Sequence, residues 1–190
     1  VTIGSQTYKL PDPFFVLATQ NPIESEGTYP LPEAQLDRFI LKLKIEYPTP
    51  NEELLILRRM GIENEIPVKR TLSPLMLRDL RKTAEKIKID ERIEEYIVSI
   101  TAATREADKI AVPYAKFIEF GASPRASIYL YRCAKIQAMF EGRSYVIPDD
   151  VKTVVHDVMR HRIVLSYEAE SEELTTDDVI DRILKIVPVP

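Results

Sequence analysis

The stretch of sequence that decides the fold lies at residues 14–48 and reads FFVLATQNPIESEGTYPLPEAQLDRFILKLKIEYP. Its apolar run at 14–18 predicts a short buried strand that ends in a polar tip and is stopped by Pro22. A second apolar segment at 40–45 predicts another strand. Two strands near 14–20 and 40–45 cannot complete a sheet by themselves, so this region is expected to be part of a larger α/β structure.

Two polar side chains in this stretch suit a site that senses phosphate. Asn21 could position an attacking water, and Arg38 could neutralise charge that develops on a transferred phosphoryl group. Taken alone, Asn21 is more typical of an amide that ends a strand or starts an Asx turn before Pro22. Arg38 alone could equally be a surface arginine paired with Asp37 or Glu33. The chain contains no Gly-x-x-x-x-Gly-Lys-Ser/Thr loop that would hold the phosphate.

From Thr49 onward the hydrophobic period becomes helical, and capping residues mark where helices begin. The predicted first helical residues are Pro50, Pro74, Glu91, Pro124, Pro148 and Thr176. The helix from Pro124 is expected to bury a stripe made of Ala126, Tyr129, Cys133, Ile136 and Phe140. Residues 62–72 read as a linker, and residues 162–170 as a short strand or loop. The fold class is therefore mainly α, with a small β-rich segment first that includes a hairpin of 1–3 with 7–10.

Composition excludes several classes of protein. The 190-residue chain has a net charge of -4, which gives no electrostatic reason to expect nucleic-acid binding. No apolar run approaches the roughly 20 residues needed to cross a bilayer, so membrane insertion is not expected. A single cysteine, Cys133, and the lack of a signal peptide predict the cytoplasm. His156 and His161 are five residues apart and do not fit a helical metal motif, so no metal site is expected.

The motifs resemble one family closely. Residues 14–48 look like the second half of the ATPase core of MoxR-type AAA+ proteins, relatives of the magnesium-chelatase ATPase subunit, and the EGTYPLPEAQLDRF segment at 26–39 is the most specific match. The sequences GASPRA at 121–126 and VIPDDV at 146–151 resemble the helical lid of the same family. The resemblance implies a helical lid bundle preceded by a remnant of the α/β core: core at 1–48, connecting helix and linker at 49–72, and lid at 73–190.

The resemblance also implies roles for four residues. Asn21 matches the sensor 1 asparagine that orients the attacking water, and Arg38 the arginine finger that enters a neighbouring subunit's site. Arg125 matches the sensor 2 arginine that contacts the γ-phosphate; read alone, it is a first-turn arginine in an unfavourable place on the helix dipole, which hints at a nearby anion. Asp37 would support Arg38 or bridge to the partner. Whether Arg125 serves its own subunit or a neighbour stays open.

For the whole protein, the resemblance implies a cytoplasmic ATPase that binds ATP and Mg²⁺ and assembles into a ring, expected to be hexameric. Hydrolysis would drive chaperone-like remodelling, complex assembly or metal-cofactor insertion, with a client protein and a partner carrying a von Willebrand A domain. By the resemblance, the phosphate-binding loop and the Mg²⁺-binding strand lie before Val1, so this chain alone should bind no cofactor and be inactive. The alternatives are a helical interaction module without nucleotide chemistry, or another AAA+ clade such as the chelatase subunit.

Overall fold

The architecture consists mainly of helices whose first turns carry their own caps. The computed structural model describes residues 1–20, 31–61, 68–106 and 115–190, apart from the side chain of Glu170. The helices in these ranges are α1 (Glu33–Leu36), α2 (Pro50–Met60), α3 (Pro74–Lys86), α4 (Glu91–Arg105), α5 (Pro124–Phe140), α6 (Pro148–Met159), α7 (Tyr167–Ser171) and α8 (Thr176–Ile186). The mainly helical fold class is confirmed.

The strands of the described residues are short and pair in two antiparallel two-stranded sheets. They are β1 (Thr2–Ile3), β2 (Gln6–Thr7), β3 (Ile118–Phe120) and β4 (Val164–Leu165), and a 3₁₀ turn at Ala115–Phe117 precedes β3. β1 pairs with β2, which confirms the hairpin near the N-terminus, although its second strand is shorter than expected. β3 pairs with β4 with an irregular register, so the 162–170 segment contains both a short strand and the helix α7.

The capping residues act as the sequence predicts. Thr49 accepts from the Glu52 N–H while Glu52 accepts from the Thr49 N–H, which forms a capping box around Pro50. Thr175 and Asp178 form the same box at the start of α8. Asp90 and Ser123 are the N-caps of α4 and α5, because the side chain of each accepts a hydrogen bond from a backbone N–H of the first helical turn.

The chain divides into two compact units, which are described separately. The first comprises residues 1–16 and 43–80, and the second comprises residues 17–42 and 81–190. These units are defined by compactness and do not coincide with the segment boundaries at 48 and 72, which stay predictions. No described helix is long and apolar enough to cross a membrane.

The second unit contains the hydrophobic core, built from α4, α5, α6 and α8. The face of α5 that is fully buried consists of Ala126, Leu130, Ala134 and Ala138. The predicted stripe is therefore wrong in part: Ile136 and Phe140 are exposed, whereas Tyr129 and Cys133 are only partly buried. Alanine lets neighbouring helices approach closely, and the interior is packed too tightly to take large side chains there, so the small residues face inward.

In the first unit α2 buries none of its residues, and its leucines are exposed. The strands predicted at 14–20 and 40–45 are also wrong at the level of this chain, because these described residues form no strand. Neither segment pairs with a strand among the described residues, and a strand needs such a neighbour. In the second segment the Lys42 N–H donates instead to the Asp157 carbonyl at 2.8 Å. Their apolar side chains, such as Phe15 and Ile45, remain exposed.

Candidate functional site

The site begins with the tight turn that follows α1. The short helix ends at Asp37, whose N–H donates to the Glu33 carbonyl at 2.8 Å. The next two N–H groups, of Arg38 and Phe39, donate back to Gln35 and Leu36. These local bonds hold Asp37 and Arg38 at adjacent positions of one turn, within the second compact unit.

The start of α5 is fixed by close contact with the end of α4. A Cβ at Gly121 would lie 2.4 Å from the carbonyl oxygen of Thr104, so only glycine permits this approach. The Ala122 N–H donates to Thr104 Oγ1 at 2.9 Å, and Arg105 donates to the Ala122 carbonyl at 3.0 Å. Ser123 then accepts from the Arg125 N–H at 3.2 Å. The backbone before Arg125 is therefore held at three consecutive residues.

The carboxylate of Asp37 joins the turn to the start of α5. It accepts from Ser123 Oγ at 3.0 and 3.1 Å, from Arg125 Nη1 at 3.3 Å and from Arg162 Nε at 3.0 Å. Its side chain is 18% exposed, and two guanidinium groups compensate its charge. The anion expected near Arg125 thus includes Asp37, although the sequence did not predict this pair.

Arg162 lies behind Asp37, with its side chain fully buried. Besides the carboxylate, its guanidinium donates to the carbonyls of Asp37, Phe39, Ile40 and Val158. Burial lowers the pKa of Arg162, and Asp37 opposes that change. An arginine keeps its proton in proteins, so the group is a buried cation that is fully hydrogen-bonded.

Two aromatic side chains complete the inner wall of the site. The guanidinium carbon of Arg162 lies 4.9 Å from the centre of the Tyr129 ring, a cation–π contact. Tyr129 also donates its hydroxyl to the Arg38 carbonyl at 3.4 Å. His161 Nε2 donates to the Phe39 carbonyl at 3.1 Å, since a carbonyl can only accept. Burial, and then Arg162, lower the pKa of His161 to about 4, so it is neutral at pH 7.

The two candidate arginines face solvent. Arg38 is exposed, and its guanidinium has no hydrogen bond or ion pair to any residue in the described ranges. The side chain of Arg125 is 48% exposed, and its ion pair with Asp37 is a single 3.3 Å contact. A guanidinium with free N–H groups suits the oxygens of a phosphate, so these residues fit the phosphate end of a nucleotide. The described part of the chain holds no cluster of three metal-ligating side chains.

The structure brings together only some of the predicted site residues. Asp37 and Arg125 are in contact, but Asp37 does not hold the guanidinium of Arg38, which is one of the two roles expected for it. Asn21 lies outside the described residues. His156 pairs with Asp181 at 3.0 Å and is separate from His161.

Sequence reasoning missed Arg162 and Tyr129. The available signal was the basic run at 160–162 directly after an apolar helix, where one cation has to face inward or outward. A local pattern cannot decide which one is buried, because four of the five acceptors for Arg162 lie more than 120 residues away along the chain, in the turn at 37–40.

Known proteins show similarity to both ends of the chain. The family model for the AAA lid domain matches residues 115–183, and the model for the ATPase family associated with various cellular activities (AAA) matches residues 1–41. The chain is 44% identical to the chaperone MoxR1 of Mycobacterium tuberculosis and 41% identical to the protein YeaC of Bacillus subtilis. It is covered completely in both comparisons and covers 50% and 57% of those proteins.

A solved structure is similar as well. A putative ATPase from Cytophaga hutchinsonii is 44% identical and superimposes with a TM-score of 0.92, over all of this chain and 58% of that one. The chain thus spans about half the length of the curated relatives that it matches.

Proposed function

The chain belongs to the MoxR-type AAA+ ATPase family, whose members it matches in their C-terminal half, and on this premise we propose that it presents Arg38 and Arg125 together to ATP bound by a neighbouring subunit of a ring. One observation carries the proposal. Asp37, the neighbour of Arg38, binds Arg125 and its helix cap directly, while both guanidinium groups keep exposed N–H groups.

The two arginines have different tasks in this proposal. Arg38 has no described partner to leave, so it can meet the charge that develops on the γ-phosphate during transfer, as an arginine finger does. Arg125 can exchange its single contact with Asp37 for a phosphate oxygen, because Ser123 and Arg162 still satisfy that carboxylate. Asn21 would orient the attacking water. Mg²⁺ would travel with the nucleotide and neutralise phosphate charge.

The contact through Asp37 also supports an answer to which subunit Arg125 serves. A finger acts on the nucleotide of the adjacent subunit, and a residue tied to the turn that carries the finger faces the same way. Arg38 and Arg125 of one subunit would then act in trans on one ATP. This arrangement requires a ring of subunits, for which six is the number that the family resemblance implies.

The role of the whole protein is proposed on the same basis. The relative from M. tuberculosis is named a chaperone, and we extend that role to a longer cytoplasmic protein that contains this chain. Nucleotide-dependent movement of the lid would remodel a client protein, assemble a complex or insert a metal cofactor, with help from a von Willebrand A domain partner. The chain alone lacks a phosphate-binding loop, so it should not hydrolyse ATP.

Mixed rings of the full-length protein test the proposal. Rings made only of Arg38→Ala subunits should be nearly inactive, with kcat reduced by about 10³-fold or more, because an arginine finger stabilises the transition state. Mixed with a subunit that keeps Arg38 but has a disabled phosphate-binding loop, it should regain turnover, since each variant supplies what the other lacks. An absence of recovery in rings shown by mass spectrometry to be mixed would contradict action in trans. Wild-type turnover by Arg38→Ala alone would remove the finger assignment.

A further inference from the structure

Arg162 occupies an unusual place for a cation. Its side chain has no solvent exposure, and it follows the last turn of α6 in the second unit. Burial of a charge is unfavourable unless the group is paired and all its hydrogen-bonding capacity is used.

Each N–H group of the Arg162 guanidinium has its own acceptor. A guanidinium carries five N–H donors in a rigid planar fork. Nε donates to Asp37 Oδ1, Nη2 donates to the carbonyls of Asp37 and Phe39, and Nη1 donates to those of Ile40 and Val158. Four of the five acceptors belong to the turn at residues 37–40, so the guanidinium is hydrogen-bonded mainly to that turn and not to α6, which precedes it in the chain.

The remaining carbonyl of the turn is held from the same side. Tyr129, which stacks on the Arg162 guanidinium, donates to the carbonyl of Arg38. His161 adds a second donor to the carbonyl of Phe39. Every carbonyl from 37 to 40 therefore accepts from a side chain of α5 or of the segment after α6. The side chain that this arrangement leaves without a described partner is that of Arg38.

Resting on the proposed function of Arg38, we propose that Arg162 is a positioning residue that fixes the backbone on both sides of the arginine finger to the helical unit. It thereby sets where the Arg38 guanidinium is presented, together with Arg125, to the neighbouring nucleotide. Arg162 itself, being fully buried, touches no nucleotide. Its effect on hydrolysis passes through Arg38, and loss of its fork would leave the finger present but misplaced.

The test compares Arg162→Lys with Arg143→Lys in the full-length ATPase. Lysine keeps the charge but has three donors on a point-like group, so it cannot bind five acceptors at once. Arg143 is the matched control: it donates to Asp150 and to the Tyr145 carbonyl within the same helical unit, away from the turn. We expect Arg162→Lys to lower kcat by about 10²-fold with little change in KM for ATP, since misplacement by about 1 Å can cost that much. Arg143→Lys should lower the thermal midpoint as much as Arg162→Lys does, but should leave kcat unchanged.

A double-mutant cycle separates positioning from general destabilisation. If Arg162 acts through Arg38, then Arg38→Ala with Arg162→Lys should be no slower than Arg38→Ala alone, because a missing finger cannot be misplaced. Losses that multiply, or an Arg162→Lys enzyme no slower than Arg143→Lys, would overturn the inference while the finger assignment stands. Normal turnover by Arg38→Ala would instead defeat the proposed function.

A second variant covers the case in which Arg162→Lys does not fold. Tyr129→Phe removes only the hydroxyl that donates to the Arg38 carbonyl and keeps the ring against the Arg162 guanidinium. It should lower kcat by a smaller factor, and that factor should disappear in the Arg38→Ala background. An unchanged kcat in folded Tyr129→Phe, or a loss that persists without Arg38, would count against positioning through this turn.

Discussion

The starts of α4 and α5 share one local design and differ in what they hold. In each, a capping side chain accepts from the backbone N–H of an arginine two residues later: Asp90 caps Arg92, and Ser123 caps Arg125. At α4 the cap is itself the anion, and Arg92 Nε binds it at 2.9 Å on an exposed surface. At α5 the cap is neutral, and the anion, Asp37, comes from a turn 86 residues earlier.

The difference shows how a site arises from an ordinary helix start. At α4 the arginine forms an ion pair with the cap of its own helix, so its charge is compensated within three residues. At α5 the same position connects two distant segments, because a partly buried carboxylate reaches it and leaves part of the guanidinium for a ligand. Four predictions use this comparison, in order of decreasing expected effect.

The largest effect should come from removing the arginine at the start of α5, while removing its counterpart at the start of α4 should have no effect on hydrolysis. Under the proposed function, Arg125→Ala in the full-length protein should lower kcat for ATP by about 10²-fold, a size typical of losing one donor to developing charge. Arg92→Ala, at the equivalent position of α4, should leave kcat unchanged. Stability should change little in both, since solvent screens exposed ion pairs and makes their contribution small. Steady-state hydrolysis and thermal midpoints of both variants check this, and equal kcat values would erase the difference between the two helix starts.

The next effect concerns the close approach that fixes α5. Gly121→Ala should destabilise the fold by about 2–3 kcal/mol, because the new methyl group would overlap the backbone of Thr104 and force a shift. Gly142, beyond the other end of α5, has a φ of +70° and no atom near its missing Cβ. Gly142→Ala should cost only about 1 kcal/mol, from backbone strain. Urea unfolding of both variants measures the two costs; a larger cost at Gly142 would show that α5 is not held at its start.

The elements of this fold follow from local signals that can be read from sequence. Four helices begin where their N-cap residues predict, and these N-caps are Thr49, Asp90, Ser123 and Thr175. The buried face of α5 was less predictable. Bulk favours Ile136 and Phe140 as core residues, but close helix packing selects alanines instead. Strands at 14–20 and 40–45 could not be judged from their apolar runs alone, because pairing depends on residues that are distant or absent from the described chain.

The candidate site was predictable only residue by residue. The family resemblance singles out Arg38 and Arg125, but nothing in the sequence joins them, because Asp37 connects them through space. Arg162 stayed hidden for the same reason: an arginine after an apolar helix is usually a solvated one, and its acceptors are backbone carbonyls that have no sequence signature.

The third prediction concerns pH. Because the pKa of His161 falls from 6.5 to about 4 in the folded chain, the unfolded state binds more protons between these values. Stability should therefore fall by about 2–3 kcal/mol as pH decreases from 6.5 to 4, and this group should change it little above pH 6.5. The Asp90–Arg92 pair should persist through this window, since Arg92 lowers the pKa of Asp90 below 3.8.

Unfolding midpoints measured across this pH range test the assignment. His161→Gln keeps a donor for the Phe39 carbonyl but does not titrate, so it should flatten the dependence. His156→Gln, which changes the exposed partner of Asp181, should retain it. If the pH dependence of the midpoint persists in His161→Gln and disappears in His156→Gln, the effect belongs to His156 and the assignment to His161 is wrong.

The smallest effect should come from exchanging the caps themselves. Ser123→Ala removes an acceptor for the helix and a donor to Asp37, and should cost about 1 kcal/mol of stability. Asp90→Ala should also destabilise the start of α4. Ser123→Thr preserves both bonds and should behave as wild type.

Ser123→Asp copies the design of α4: it caps the helix, yet it cannot donate to Asp37 and places a like charge beside it. The helix should then remain stable while Asp37 loses a partner and Arg125 gains a competing anion, so kcat should fall with little change in the thermal midpoint. If Ser123→Asp instead hydrolyses ATP as fast as Ser123→Thr, the neutral cap is not what allows the start of α5 to share Asp37, and the contrast with α4 is one of location alone.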